Sequence, residues 1–91
     1  MTANLAFAPQ QTTSLYPTLG VDFLIDRDLA ETGETQGAAD HVEWIEATNP
    51  TVEDDMWDLA EADEIIAAQG YQRTTEWEDA GDYLVAHIAR A

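Results

Sequence analysis

Apolar and polar positions change their spacing along the chain, and this change predicts the elements of the fold. Residues 21–25 form a short, mostly apolar run behind Gly20, interrupted by Asp22, and the length and β-branched ends of the run are typical of a strand. Residues 42–48 alternate apolar and polar side chains, which predicts a second strand, antiparallel to the first. Between them, residues 31–40 are rich in Gly, Thr and Gln, so we expect a loop there.

The clearest helical pattern covers residues 52–69. Thr51 followed by Asp54 resembles a capping box, and Gly70 stands where a glycine commonly ends a helix. At about 100° per residue, one face of this helix is apolar and is expected to meet the sheet; it comprises Val52, Met56, Leu59, Ala60, Ile66 and Ala67. Most of the opposite face is carboxylate.

Two interpretations stay open for the C-terminal region. Residues 71–77 alternate, residues 79–82 are typical of a turn, and residues 83–88 are rich in strand formers, so we favour a β-hairpin. The alternative is a second helix, capped at Thr75 with Glu78 three positions later.

The first 21 residues carry no charged side chain, unlike the rest of the chain. We expect residues 1–14 to form a flexible or extended arm, with the first dozen loose, and residues 15–19 to be packed. Residues 15–91 then form one small α+β domain, in which an acidic amphipathic helix packs on a small antiparallel sheet.

The net charge of the chain gives information about its function. The 91 residues contain no Lys and three Arg against 19 Asp and Glu, which gives a net charge of −16. A small domain needs a net charge of only roughly 2 to 8 in magnitude for solubility, and the excess destabilises the compact state by self-repulsion. Binding to nucleic-acid phosphates requires Lys and Arg, so we expect no direct nucleic-acid or membrane binding. A basic protein is the expected partner.

The same composition bears on location. No apolar run approaches the roughly 18 residues that a membrane span requires, and the first nine residues include no basic side chain. The chain has no cysteine, so nothing indicates an oxidising compartment. We therefore expect a cytoplasmic protein.

The predicted helix has the charge spacing of a nucleic acid. Seven acids occur from Glu53 to Glu64, which on a helix is one negative charge per roughly 2.4 Å of axis. Duplex DNA carries one per about 1.7 Å, and a single strand one per about 3.4 Å. This density predicts a surface that mimics nucleic acid, and its candidate partner-binding residues are Glu53, Asp54, Asp55, Trp57, Asp58, Glu61 and Glu64.

Three side chains depart from the helical pattern. Trp57 and Ile65 fall on the acidic side. Trp57 is either an exposed anchor for a partner, or both residues are covered by residues 1–20. Asp63 falls within the apolar stripe, where a buried carboxylate needs a partner, and Arg73 is the expected one.

Catalytic and metal-binding motifs do not emerge from the sequence. Asp26-Arg27-Asp28 resembles the start of a calcium loop, but Ala30 and Glu31 do not fit the ligand and glycine positions. His41 and His87 are too few for a zinc site without cysteine. We expect no enzyme activity, no cofactor and no metal.

These observations favour a non-enzymatic inhibitor that binds a basic nucleic-acid-binding protein by charge mimicry. In length and composition, though in no motif, the chain is similar to small acidic inhibitors of phage and plasmid origin, which implies an anti-restriction or anti-CRISPR-like role. The alternative is a small acidic adaptor or structural domain whose charge reflects salt or solubility adaptation. A third possibility is an antitoxin-like protein that orders its N-terminal arm on a basic toxin.

Overall fold

In the residues that the structure describes, the fold is a mostly antiparallel sheet with one short helix, α+β-like in class. A computed structural model describes residues 3–12, 17–26, 40–53, 56–81 and 83–91. In chain order the elements are β1 (Leu5–Pro9), β2 (Gly20–Ile25), β3 (Asp40–Glu46), β4 (Val52–Glu53), β5 (Met56–Trp57), α1 (Ala60–Ala68), β6 (Tyr71–Arg73), β7 (Glu78–Asp79) and β8 (Tyr83–Arg90).

Strand β1 lies in the middle of the main sheet, whose order is β3-β2-β1-β8-β6, with β7 also paired to β8. It pairs antiparallel with β2 on one side and β8 on the other. The expectation that the first dozen residues are loose is therefore wrong for Leu5–Pro9. Uncharged Ala6 and Ala8 are buried, so the lack of charge in this segment reflects its place in the core.

The two strands expected from the alternating pattern are confirmed. β2 and β3 pair antiparallel, and a register shift between Phe23 and Leu24 marks a bulge. Gly20 is needed where these strands meet, because a Cβ atom there would lie 2.9 Å from the Cα of Glu46. The predicted loop over residues 31–40 lies, apart from Asp40, outside the described residues.

The predicted helix over residues 52–69 is wrong in its first half. The helix spans only Ala60–Ala68, and residues 52–57 contribute β4 and β5, which pair antiparallel in a separate two-stranded sheet. Two effects favour this hairpin. A continuous helix would set Asp54 against Asp58 at a spacing of four, where like charges repel, and the hairpin places Trp57 in the core.

The ends of α1 differ in how well the sequence predicts them. Gly70 has a φ of +86° and follows the helix, so the prediction of a helix-ending glycine is confirmed. The Thr51 capping box is wrong, because the helix begins nine residues later. Instead, a side-chain oxygen of Asp58 accepts a hydrogen bond from the Ala60 amide at 3.1 Å.

The apolar face of α1 is rotated from the predicted one. Ala62 and Ile66 are its buried residues, and Ile65 packs against the core from a partly buried position. Of the predicted apolar stripe, Ile66 is buried and Leu59 packs against the core, whereas Val52, Met56, Ala60 and Ala67 are exposed. The acidic amphipathic character predicted for the helix over residues 52–69 is therefore not confirmed.

The C-terminal hairpin is confirmed over the alternative of a second helix. β6 pairs antiparallel with one end of β8, and β7 pairs with its other end. The Ala80 amide donates to the Tyr83 carbonyl at 2.9 Å, which closes the predicted turn. No helix in the described part of the chain is long and apolar enough to cross a membrane.

Candidate partner-binding surface

Glu61, in the first turn of α1, joins the helix to the end of β3. Its Oε2 atom accepts hydrogen bonds from the backbone amides of Thr48 at 3.2 Å and Asn49 at 3.0 Å. The preceding residue, Ala47, donates its amide to the Leu19 carbonyl at 2.8 Å. The residues that follow β3 are thus bound to the first turn of α1 through Thr48 and Asn49 and to Leu19 through Ala47.

Asp58 connects the β4–β5 hairpin to the same corner of the molecule. Its amide donates to the Thr51 carbonyl at 2.8 Å, and its carboxylate accepts from the Ala60 amide. A carboxylate at the start of a helix is stabilised by the unpaired amides and by the helix dipole. The fold therefore gives Asp58 one local role, and its exposed carboxylate is available for another.

We refer to Glu46, Glu53, Asp58, Glu61 and Glu64 as the acidic surface. Four of them are exposed, and Glu61 is partly buried. Asp58, Glu61 and Glu64 line an open cleft of about 310 Å³ with Thr48, Asn49, Thr51 and Ala60. The ion pairs found among the described residues join His41 to Asp22 and Arg73 to Asp63, and neither includes a residue of the acidic surface.

The residues predicted from the sequence to bind a partner are only partly brought together. Glu53, Asp58 and Glu64 are exposed, while Asp54 and Asp55 lie outside the described residues. Because Glu53, Met56, Trp57 and Asp58 are not helical, the charge density calculated for one continuous helix does not apply. The acids are instead contributed by β3, the hairpin and α1.

The prediction of Trp57 as an exposed anchor is wrong. Its side chain is 4% exposed and belongs to the hydrophobic core. Its amide donates to the carbonyl of Gln10 at 2.9 Å, and Ala3, Ala6 and Ala8 belong to the same core cluster. The alternative interpretation, in which the N-terminal segment covers Trp57, agrees with these contacts.

Asp63 confirms the expected ion pair. Its two carboxylate oxygens accept from Nε and Nη2 of Arg73 at 2.7 and 3.1 Å, and the Trp77 indole donates to Oδ1 at 3.1 Å. The side chains of Asp63 and Arg73 are 42% and 29% exposed, so the pair is only half-buried. The hydrogen bond to Asp63 is the main cause that raises the pKa of Arg73.

Two features of this region were not predicted from the sequence. Glu46 was not among the predicted partner-binding residues, yet it is exposed at the end of β3, two residues before the Thr48 amide that Glu61 binds. Val52 and Met56 were predicted to be buried, yet they are 52% and 42% exposed. The β-branched Thr51-Val52 pair beside Pro50 was the one signal against a helix there.

Asp22 is a buried acid that does not belong to the acidic surface. Asp22, in β2, is 5% exposed, and its carboxylate lies 2.6 Å from Nδ1 of His41 in β3. His41 therefore serves as a partner for a buried carboxylate. Among the described residues, no group of three or more His, Cys, Asp or Glu is arranged to hold a metal ion.

Comparison of the chain with protein-family models, with curated proteins and with solved structures gave no match. The functional argument therefore rests on the geometry and charge described above.

Proposed function

We propose that this protein is a non-enzymatic inhibitor that binds a basic nucleic-acid-binding protein in place of DNA or RNA. The observation that carries the proposal is the acidic surface, whose carboxylates are exposed or line an open cleft and have no cation beside them in the described part of the chain. Such uncompensated charge destabilises an isolated domain, but it complements a groove that binds phosphates. The target class is that of restriction or CRISPR-type nucleases and DNA-binding regulators in the host cytoplasm.

The geometry supports binding because two of the carboxylates are fixed before a partner arrives. Glu61 is held by two backbone amides and Asp58 by the start of α1. Groups that are already ordered lose less conformational entropy on association. Complementary charge also speeds association, and the effect weakens as salt rises.

Affinity capture with matched variants tests the proposal. The immobilised protein is incubated with host lysate at about 0.1 M and 0.5 M salt, where the Debye length is about 10 Å or shorter, and bound proteins are identified by mass spectrometry. The test variant is Glu46→Gln/Glu53→Gln/Glu64→Gln, and the control is Glu76→Gln/Glu78→Gln/Asp79→Asn. Both remove three negative charges from exposed positions.

The wild type and the control are expected to retain a nucleic-acid-binding protein at low salt, and the test variant is expected to lose it. Equal loss in both variants would show that total charge, rather than the acidic surface, governs the interaction. Capture that persists in the test variant would also contradict the proposal.

One observation favours the alternative of salt or solubility adaptation. Glu76, Glu78 and Asp79 are also exposed, and β7 pairs with β8, which lies three strands from β3 in the sheet. Acids are therefore found at both sides of the molecule. Under this alternative, as under the main proposal, folding weakens when salt is removed; what distinguishes the alternative is that each acid can be neutralised singly without loss of function.

A further inference from the structure

Strand β6 forms one edge of the main sheet, and its outer backbone groups are open. The Gly70 carbonyl and the Thr74 amide, just before and just after β6, form hydrogen bonds with backbone groups on the β8 side at 3.0 and 2.9 Å. Backbone groups alternate in direction along an antiparallel strand, so Tyr71 and Arg73 direct their amides and carbonyls away from β8. Among the described residues, these groups have no hydrogen-bond partner.

A cleft of about 330 Å³ runs along this edge, and we refer to it as the edge cleft. Successive side chains of a strand point to opposite faces of the sheet. A cleft that touches every residue of β6 therefore follows the backbone edge of the strand rather than one of its faces. Helix α1 forms the other wall, and the lining residues are Asp63, Ile66, Ala67, Tyr71, Gln72 and Arg73.

We propose that an extended segment of the basic partner pairs antiparallel with β6 and occupies the edge cleft. Pairing satisfies the open backbone groups of Tyr71 and Arg73, as in complexes where a peptide adds a strand to a sheet edge. The choice of partner rests on the proposed function. Glu64 of the acidic surface lies three positions before Ala67 of the edge cleft, and residues three apart are neighbours on a helix, so one partner contacts both surfaces.

The two faces of β6 determine the side chains that the segment needs. Arg73 contacts α1 through its ion pair, and Cζ of Arg90 lies 4.9 Å from the centre of the Tyr71 ring, so the face toward α1 carries two arginines. Segment residues opposite Tyr71 and Arg73 lie on that face, where apolar side chains pack on Ala67 and on the arginine stems. Cationic side chains therefore lie on the other face, beside exposed Gln72. The expected segment alternates apolar and cationic residues.

A second copy of this chain would also bring an edge strand to β6. Each copy carries a net charge of −16, however, so two copies repel each other. A cationic segment is attracted by the same charge. The charge of the chain thus favours a basic partner over self-association at this edge.

Two methylated peptides test the inference. Each has seven residues in which Arg and Leu alternate; one is methylated on three Leu amides and the other on three Arg amides, so charge and side chains are the same. In an antiparallel pair, a residue whose side chain lies on the α1 face also directs its amide to β6. Methylation of the Leu amides therefore removes the donors that pairing requires.

Binding to the ¹⁵N-labelled full chain is followed by NMR titration at about 0.15 M salt. The Leu-methylated peptide is expected to bind about ten-fold more weakly than the Arg-methylated peptide. The Arg-methylated peptide is expected to shift the amide signals of residues 63–73.

Two variants of the chain provide a matched control. Ala67→Phe places a large side chain in the edge cleft, whereas Ala68→Phe alters an exposed position of α1 that does not line it. The first variant is expected to bind both peptides equally weakly, and the second to behave as the wild type. Thermal unfolding reports whether each variant is folded, and if Ala67→Phe is not, the two peptides still decide on the wild type.

Equal affinity of the two peptides for the wild type would overturn the inference, as would shift changes that leave residues 71–73 unaffected. A wild-type dimer in sedimentation equilibrium that the Arg-methylated peptide dissociates would also overturn it, because a second copy would then occupy the edge. These results leave lysate capture through the acidic surface untouched. Conversely, loss of selective capture would overturn the proposed function without removing the difference between the peptides, so the two failures are distinguishable.

Discussion

The carboxylate of Asp63 is paired with a cation, whereas the carboxylates of the acidic surface have no such partner among the described residues. Asp63 receives a two-pronged contact from Arg73 and a third hydrogen bond from Trp77. Glu64, the next residue, is exposed on α1 and lines the open cleft. Arg73 is one of only three arginines in the chain, and its contact with Asp63 joins β6 to α1.

This difference separates charge that supports the fold from charge that does not. An ion pair with additional hydrogen bonds stabilises the packing of α1 on the sheet. The acidic surface adds repulsion and has no compensating cation among the described residues. We infer that its charge is kept for an interaction outside the chain, and the following predictions test that division.

The largest expected effect is on the fold. Trp57→Ala removes a core side chain that connects the hairpin to the N-terminal segment, and we expect a loss of about 3–5 kcal/mol in the free energy of unfolding. Urea unfolding followed by circular dichroism measures it. A loss below about 1 kcal/mol would show that Trp57 is exposed in solution, which is the first of the two interpretations that the sequence left open.

A smaller loss is expected at the ion pair. Asp63→Asn removes the negative charge that faces Arg73, and because both side chains are partly exposed we expect a cost of about 1–2 kcal/mol. Partner capture by the folded variant should be unchanged. If partner capture falls while the free energy of unfolding stays constant, Asp63 belongs to the binding surface. The contrast between Asp63 and the acidic surface would then be wrong.

The acidic surface should behave in the opposite way. Glu46→Gln/Glu53→Gln/Glu64→Gln is expected to change the free energy of unfolding by no more than about 0.5 kcal/mol, or to raise it slightly, because repulsion falls. The same urea titration measures this. Marked destabilisation would mean that these acids support the fold.

The smallest effect concerns salt. Between about 0.01 M and 0.15 M salt the Debye length falls from about 30 Å to about 8 Å, so Tm should rise by a few degrees as repulsion is screened. The triple variant should show a smaller rise in differential scanning fluorimetry. If Tm rises equally in the wild type and the triple variant, the repulsion that salt screens comes from other acids.

Much of the sheet could be predicted from the sequence, because period-two alternation and turn residues are local signals. Gly70 and the Asp63–Arg73 pair could also be predicted, since each follows from one conformational or electrostatic requirement. Residues 52–57 could not, because acids, Met and Trp fit a helix equally well. The contact that decides their structure joins the Trp57 amide to the Gln10 carbonyl, far away in the sequence.

The candidate site stays a prediction, and only the exposure of its residues can be compared with the structure. Glu53, Asp58 and Glu64 are exposed, as a binding role requires. Glu46 is placed by the pairing of β3 with β2, in which it lies opposite Gly20, and burial of Trp57 depends on its packing in the core cluster with Ala6 and Ala8 of β1. Both are tertiary effects that local spacing does not encode.

Competition by nucleic acid tests the central claim most directly. The protein captured from lysate at about 0.1 M salt is held on the immobilised chain, and duplex DNA or structured RNA is added at increasing concentration. We predict that nucleic acid displaces the captured protein in a saturable manner, because both occupy one groove. Retention of the captured protein at saturating nucleic acid would contradict charge mimicry.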